Sequence, residues 1–172
     1  MNQARFTERW IALAMIGIVI GVPGLLLLAK GSVGPRWRAT YFSDWQFRGE
    51  PMTRLEDGVG SEAMPPPSAG STQVAARWES EFLVPSADSL YLMLVSVGPS
   101  RLFIDKELVL LNPSPEGDRV AGVSRQIEPG WHGIRVEYRG TAGTLKADLL
   151  VSLDGGPPRP IPASRLREPG LR

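Results

Sequence analysis

One histidine stands in the 172-residue chain, His132 in "PGWHGIRVEY". It is the one side chain whose ordinary pKa suits proton transfer near neutral pH. A general base also needs a group that orients it and a nucleophile within hydrogen-bond reach. No nucleophile elbow, phosphate-cradling loop or His-x-x-x-His spacing accompanies it, so His132 reads as structural, at a strand entrance. The paired carboxylates Glu56-Asp57, with Asp44, Glu50 and Glu62 nearby, are the residue types of glycoside hydrolysis, which holds two carboxyls about 5 Å apart when retaining. Their position in loop-like sequence fixes no such distance, and they read as solvated. There is no cysteine, which excludes disulfides, thiolate nucleophiles and cysteine-ligated metals. Asp105 in "FIDKEL" reads as a turn former that caps its local backbone. The expectation is no catalytic residue, no metal ligand and no cofactor.

Aromatic and basic side chains are the remaining candidates. Trp45 and Phe47 in "SDWQFRGE" lie in a loop, where a flat ring can stack on a sugar or anchor a protein interface. Arg159, Arg165 and Arg167 belong to the Pro-rich tail "DGGPPRPIPASRLREPGLR". Because proline removes backbone donors, residues 154–172 are expected to form neither strand nor helix and to run extended, either as a disordered tail or as an arm laid along a partner. Lys and Arg together number 19 against 18 Asp and Glu. That balance gives no polyanion-binding signal, and the basic face with interleaved aromatics that a nucleic-acid reader shows is not visible in the sequence.

The elements that would carry these residues alternate with period two, as strands with one wet face must. "RWESEFLV" places Trp78 and Phe82 on one face; "GIRVEY" does so for Ile134, Val136 and Tyr138. Residues 90–95, including Leu92 and Leu94, are apolar at nearly every position, which predicts a central strand buried on both faces. Phe103 in "RLFI" joins the expected core. Turn chemistry at Pro85-Ser86, Pro129-Gly130 and Gly140-Thr141 punctuates the runs. The pattern predicts an all-β, antiparallel sandwich over residues 31–153. Residues 56–73, rich in Gly, Pro and Ser, form a long connection.

Ahead of the sandwich, after a short segment 1–9, "WIALAMIGIVIGVPGLLLLA" (residues 10–29) has no charge. As a helix it spans about 30 Å, the thickness of a bilayer core. Trp10 sits where an interfacial aromatic belongs, Gly17 and Gly21 give a small-xxx-small spacing for helix contact, and Pro23 can kink the helix. A cleaved leader would have a shorter apolar region ending in a small-x-small site, whereas Leu28 and its leucine neighbours occupy that position. The reading is a single-pass anchor over residues 10–30 in a bacterial-type inner membrane, with the N-terminus cytoplasmic and the sandwich periplasmic or extracellular.

Three segments, "RATYFSDWQFRGEP", "ARWESEFLVPSADSLYLMLVSVGPSRLFIDKELV" and "IEPGWHGIRVEYRGTAGTLKADLLVS", together resemble the protective-antigen-type, or PA-fourteen, sandwich domain over residues of about 36–153. The resemblance carries an opening strand with an aromatic pair and "F-x-G-E-P", the "R-L-F-I-D" step and the "G-x-H-x-I-R-V-E-Y" strand. It implies a module that does not catalyse; many relatives bind glycans through calcium. In those relatives two adjacent acids precede the "R-L-F-I-D" strand, and here Val97 and Gly98, followed by Pro99, stand in that place. The resemblance and the anchor together imply an accessory or structural subunit of a larger membrane complex, in contact with lipid and with other subunits. The alternative is a membrane-tethered carbohydrate-binding module that has lost its calcium pair.

Overall fold

The computed structural model describes residues 36–60, 72–86, 89–113, 118–141, 146–153 and 155–170, all within the unit Gly34–Arg172. The anchor expected over residues 10–30, with Trp10, Gly17, Gly21, Pro23 and Leu28, lies outside them. No helix among the described residues is long and apolar enough to cross a membrane.

Eleven strands follow in chain order: β1 (Trp37–Phe42), β2 (Met52–Glu56), β3 (Gln73–Val84), β4 (Ser89–Val97), β5 (Ser100–Ile104), β6 (Glu107–Asn112), β7 (Asp118–Gln126), β8 (Gly130–Thr141), β9 (Ala147–Ser152), β10 (Arg159–Pro160) and β11 (Leu166–Arg167). They form two sheets, β2-β1-β3-β8-β5-β6 with β11 beside β3, and β10-β9-β4-β7. Every pairing is antiparallel. Alternate side chains of the two sheets meet in a single core containing Trp78, Phe82, Leu92, Leu94, Ile134, Val136 and Tyr138. The architecture is an antiparallel β-sandwich.

The structure corrects several expectations. Phe103 is not in the core: Leu102 and Ile104 face inward on β5, so the residue between them points out. Both parities of "RLFI" are apolar enough that alternation alone could not choose. Nor is β4 buried on both faces. Its burial alternates: on the outer side of its sheet Tyr91 is exposed and Met93 and Val95 are half-buried, with no strand among the described residues packed over them.

The tail forms regular structure too. β10 pairs with β9, and β11 pairs with β3 through Leu166↔Phe82 and Arg167↔Glu81. The pairing of β1 with β3 ends at Arg38↔Glu79, so β3 has an unpaired edge just beyond that point, and Leu166 and Arg167 take it. Ile161 and Leu166 are buried in the core. Ser80 Oγ lies 3.1 Å from the Arg36 carbonyl and 3.0 Å from that of Arg167, tying the start of β1 to β11. Arg38 Nη2 donates to Glu168 Oε1 at 3.0 Å and to the Pro169 carbonyl at 3.1 Å.

Glu56, read as a solvated loop carboxylate, is 1% exposed at the end of β2. It accepts from Arg54 Nε at 2.6 Å, from Trp78 Nε1 at 2.9 Å and from the Tyr41 hydroxyl. Burial first, then the hydrogen bond and charge of Glu56, push the Tyr41 hydroxyl pKa well up, so it stays a donor.

Candidate functional site

The loop joining β4 to β5 holds Val97, Gly98 and Pro99, the place where the resemblance implied an acidic pair in calcium-binding domains. Its three carbonyls all accept internal hydrogen bonds. The Tyr138 hydroxyl donates to the Val97 carbonyl, Ser96 Oγ to that of Gly98 at 3.0 Å, and the Arg139 N–H to that of Pro99 at 2.9 Å. Ser96 Oγ also lies 2.8 Å from Ser100 Oγ and accepts from Asn112 Nδ2 at 2.9 Å. Gly98 has φ +110°, and a Cβ there would stand 2.5 Å from the Arg139 carbonyl, so only glycine closes the turn this tightly. Calcium takes six to eight oxygen ligands, commonly including carboxylates. A loop without a carboxylate and with its carbonyls engaged does not fit the ion. Among the described residues, no group of three or more His, Asp or Glu side chains is placed to hold a metal.

At the opposite end of β8, His132 is held on both sides. Nδ1 lies 2.6 Å from Asp105 Oδ2, and Nε2 lies 2.7 Å from the Glu128 carbonyl. Both partners are acceptors, so the doubly protonated imidazolium satisfies both contacts. Asp105, which has φ +50°, was expected to cap its local backbone, but its carboxylate reaches across to β8 instead. Its Oδ1 accepts from Gly133 N–H at 2.9 Å, and its own N–H donates to the Gly133 carbonyl at 2.8 Å. The cluster therefore locks the β5–β6 turn onto the start of β8.

Burial works to lower the His132 pKa, but the hydrogen bonds to Asp105 and to the Glu128 carbonyl, with the Asp105 charge, outweigh it and raise the pKa above its ordinary 6.5. A raised folded-state pKa means that the stabilisation is complete below about pH 6.5 and is lost as pH climbs through the folded value. The melting-temperature gap between the native chain and His132→Gln is therefore expected to be largest near pH 5 and to shrink toward pH 8. A gap that widened with pH would contradict this geometry.

The outer face of the larger sheet carries an arginine array that sequence reading missed. Arg101, Glu137 and Arg77 stand opposite one another on β5, β8 and β3. Glu137 is buried and meets Arg101 Nη2 at 2.6 Å, Arg77 Nη2 at 3.2 Å and Arg135 Nε at 3.5 Å. Guanidinium groups also cover the aromatics here: Arg135 lies 4.1 Å from the Phe103 centroid, and Arg77 and Arg139 each lie 5.3 Å from that of Phe47. The signal was the charged parity of β3 and β8, but only the register shows that it converges on Glu137. Beside the array, Glu79, Glu81, Phe103, Lys106, Arg135 and Pro169 are among the residues lining a groove of about 410 Å³.

The candidate interface residues do not form one patch. Trp45 Nε1 donates to the Gly140 carbonyl at 3.0 Å, and Phe47 packs edge-on against Phe42 with centroids 5.5 Å apart. Both thus sit by the far end of β8. Arg167 pairs with Glu81 and lies 4.1 Å over Trp131 near the start of β8. Arg165 is half-buried in the single-turn 3-10 helix before β11, and Arg159 is exposed on β10.

No protein-family model matches this chain, and no curated protein sequence does. Solved structures share its fold. An anti-sigma factor domain-containing protein from Clostridium clariflavum aligns with a TM-score of 0.65 at 16% identity, over 81% of this chain and 49% of that one. The PA14 domain of the MpAFP antifreeze protein aligns at TM-score 0.50 and 14% identity, over 59% and 57% of the two chains. A PA14 sugar-binding domain from an RTX adhesin gives 0.50 and 13%, over 57% and 56%. At these identities the likeness is one of fold, and the chain spans about half the length of each of these structures. The class is thus an antiparallel sandwich whose neighbours include PA14 domains.

Proposed function

We propose that this chain is a PA14-like, non-catalytic accessory subunit, anchored by residues 10–30 in a bacterial-type inner membrane, that binds other subunits of a membrane complex through its periplasmic sandwich. One observation carries the reading. The carbonyls of the Val97–Gly98–Pro99 turn and both ring nitrogens of His132 are already engaged inside the fold, so in this arrangement these groups hold the sandwich together. Large apolar side chains, among them Tyr91, Leu108, Leu111 and Val120, meanwhile stand exposed, as in interface cores. Solubilisation in mild detergent followed by native electrophoresis tests the proposal. Co-migration with a larger complex is expected; a lone monomer would contradict it.

A second reading, a carbohydrate-binding module, is favoured by the groove beside Phe103. There the side chains of Glu79 and Lys106 make no hydrogen bond or ion pair among the described residues, and a sugar's hydroxyls both donate and accept. A glycan array read with and without calcium decides it, and silence in both conditions ends it.

A further inference from the structure

We infer that β7 is a docking edge to which a partner protein adds an extended strand. Three of the four sheet edges are blunted in ways that discourage pairing. β2 has five residues and follows Pro51. β10 has two residues, one of them Pro160. β6 breaks register opposite Leu102 and Phe103 and runs into Pro113.

β7 has none of these protections. Its nine residues hold unbroken register with β4 from Ser89↔Gln126 to Val97↔Asp118, without bulge or proline. No described strand pairs with its other side. Every second N–H and C=O along that side therefore lacks a sheet partner among the described residues.

The flank beside this edge is apolar. Val120 is 63% exposed on the outer face of its sheet. Val109, Ala121 and Val123 are only partly buried against the core, so the sandwich is incompletely closed between β6 and β7. An added strand would cover that opening and satisfy the edge backbone at once, which sets the occupant's chemistry: extended, with small or β-branched apolar residues at its centre.

Charge narrows it further. Arg119 and Arg125 are exposed at the two ends of an uncharged stretch, Val120 to Ser124; Arg125 Nη2 meets Glu107 Oε1 of β6 only at 3.9 Å and between exposed side chains, a weak pair that leaves it able to take a second acid. They call for acidic residues near both ends of the incoming strand. A second copy of β7, laid antiparallel and centred on Gly122, would instead set Arg119 against Arg125 twice, so the occupant is a partner and not this chain. The inference rests on the protein-binding reading and names the kind of segment bound.

The probe is a fluorescent nine-residue peptide alternating valine and threonine with glutamate at each end, titrated onto the full chain in detergent micelles. Binding is expected to slow amide exchange within residues 118–126 and not within residues 52–56. Val120→Lys is expected to weaken it by at least about tenfold, while Leu55→Lys, on the edge strand β2, leaves it unchanged. Melting curves of both variants confirm that they fold. No binding, equal loss with Leu55→Lys, or protection confined to the groove beside Phe103 would overturn the inference. So would a dimer of the chain that Val120→Lys dissociates. If the native complex persists with Val120→Lys in place, the docking edge is wrong while the accessory-subunit reading stands. A lone monomer on the native gel overturns that reading by itself.

Discussion

Glu56→Ala lowers the unfolding free energy of the sandwich by about 3–5 kcal/mol, the scale on which a buried charge network fails when one member is removed. The carboxylate is buried and receives Arg54, Trp78 Nε1 and the Tyr41 hydroxyl, which come from three adjacent strands. Its loss leaves the indole N–H and the phenol without their acceptor inside the core, each a desolvation penalty of about 1–3 kcal/mol. Glu56→Gln keeps an oxygen for Trp78 but removes the charge opposite Arg54, so its cost falls between those of the native chain and the alanine variant. Thermal denaturation followed by circular dichroism is expected to show a drop of roughly 10 °C or more for alanine. A drop of a degree or two would mean that the network is not closed in solution.

Deleting residues 155–172 is the second large effect. An arm reaching toward a partner could be removed without consequence, but this one supplies Ile161 and Leu166 to the core and a strand to β3. Burying a side chain of that size contributes roughly 1.5–3 kcal/mol, so losing both costs several kcal/mol before the exposed edge of β3 is considered. The truncated chain is expected to melt more than about 10 °C lower and to aggregate through residues 81–84. Leu166→Ala alone should reproduce part of the shift, at about 2–4 kcal/mol. Unchanged melting after truncation would return the tail to the role of a free arm.

Where the sequence was legible, alternation was unambiguous. "GIRVEY" and "RWESEFLV" each place apolar residues on one parity and charges on the other, so the inward faces of β8 and β3 could be read directly. "RLFI" offers apolar residues to both faces, and Phe103 was assigned to the wrong one. Residues 90–95 looked doubly buried because composition cannot tell a covered outer face from an apolar one left in solvent. β10 and β11 have two residues each, too few to show a period, and they lie among prolines that argue against strands.

The site followed the same division. The absence of acids at Val97 and Gly98 was visible in the sequence. That the turn's carbonyls are answered by Tyr138, Ser96 and Arg139 was not, since those donors come from β8 and β4. Glu56 and Glu137 give no sign of burial in the sequence because most of their partners, Tyr41 and Trp78 for the first and Arg77 and Arg101 for the second, are distant in sequence and adjacent only through sheet register.

The claim that this sandwich binds through its own surfaces, without a cation, is met most directly by one measurement: the melting temperature of the full chain in millimolar calcium against the same buffer with chelator. A ligand that binds only the folded state stabilises it by about 2.7 kcal/mol at a hundredfold excess over Kd. The account predicts superimposable curves. A clear upward shift in calcium would show that the β4–β5 turn, or another set of oxygens, opens to hold the ion, and would contradict it.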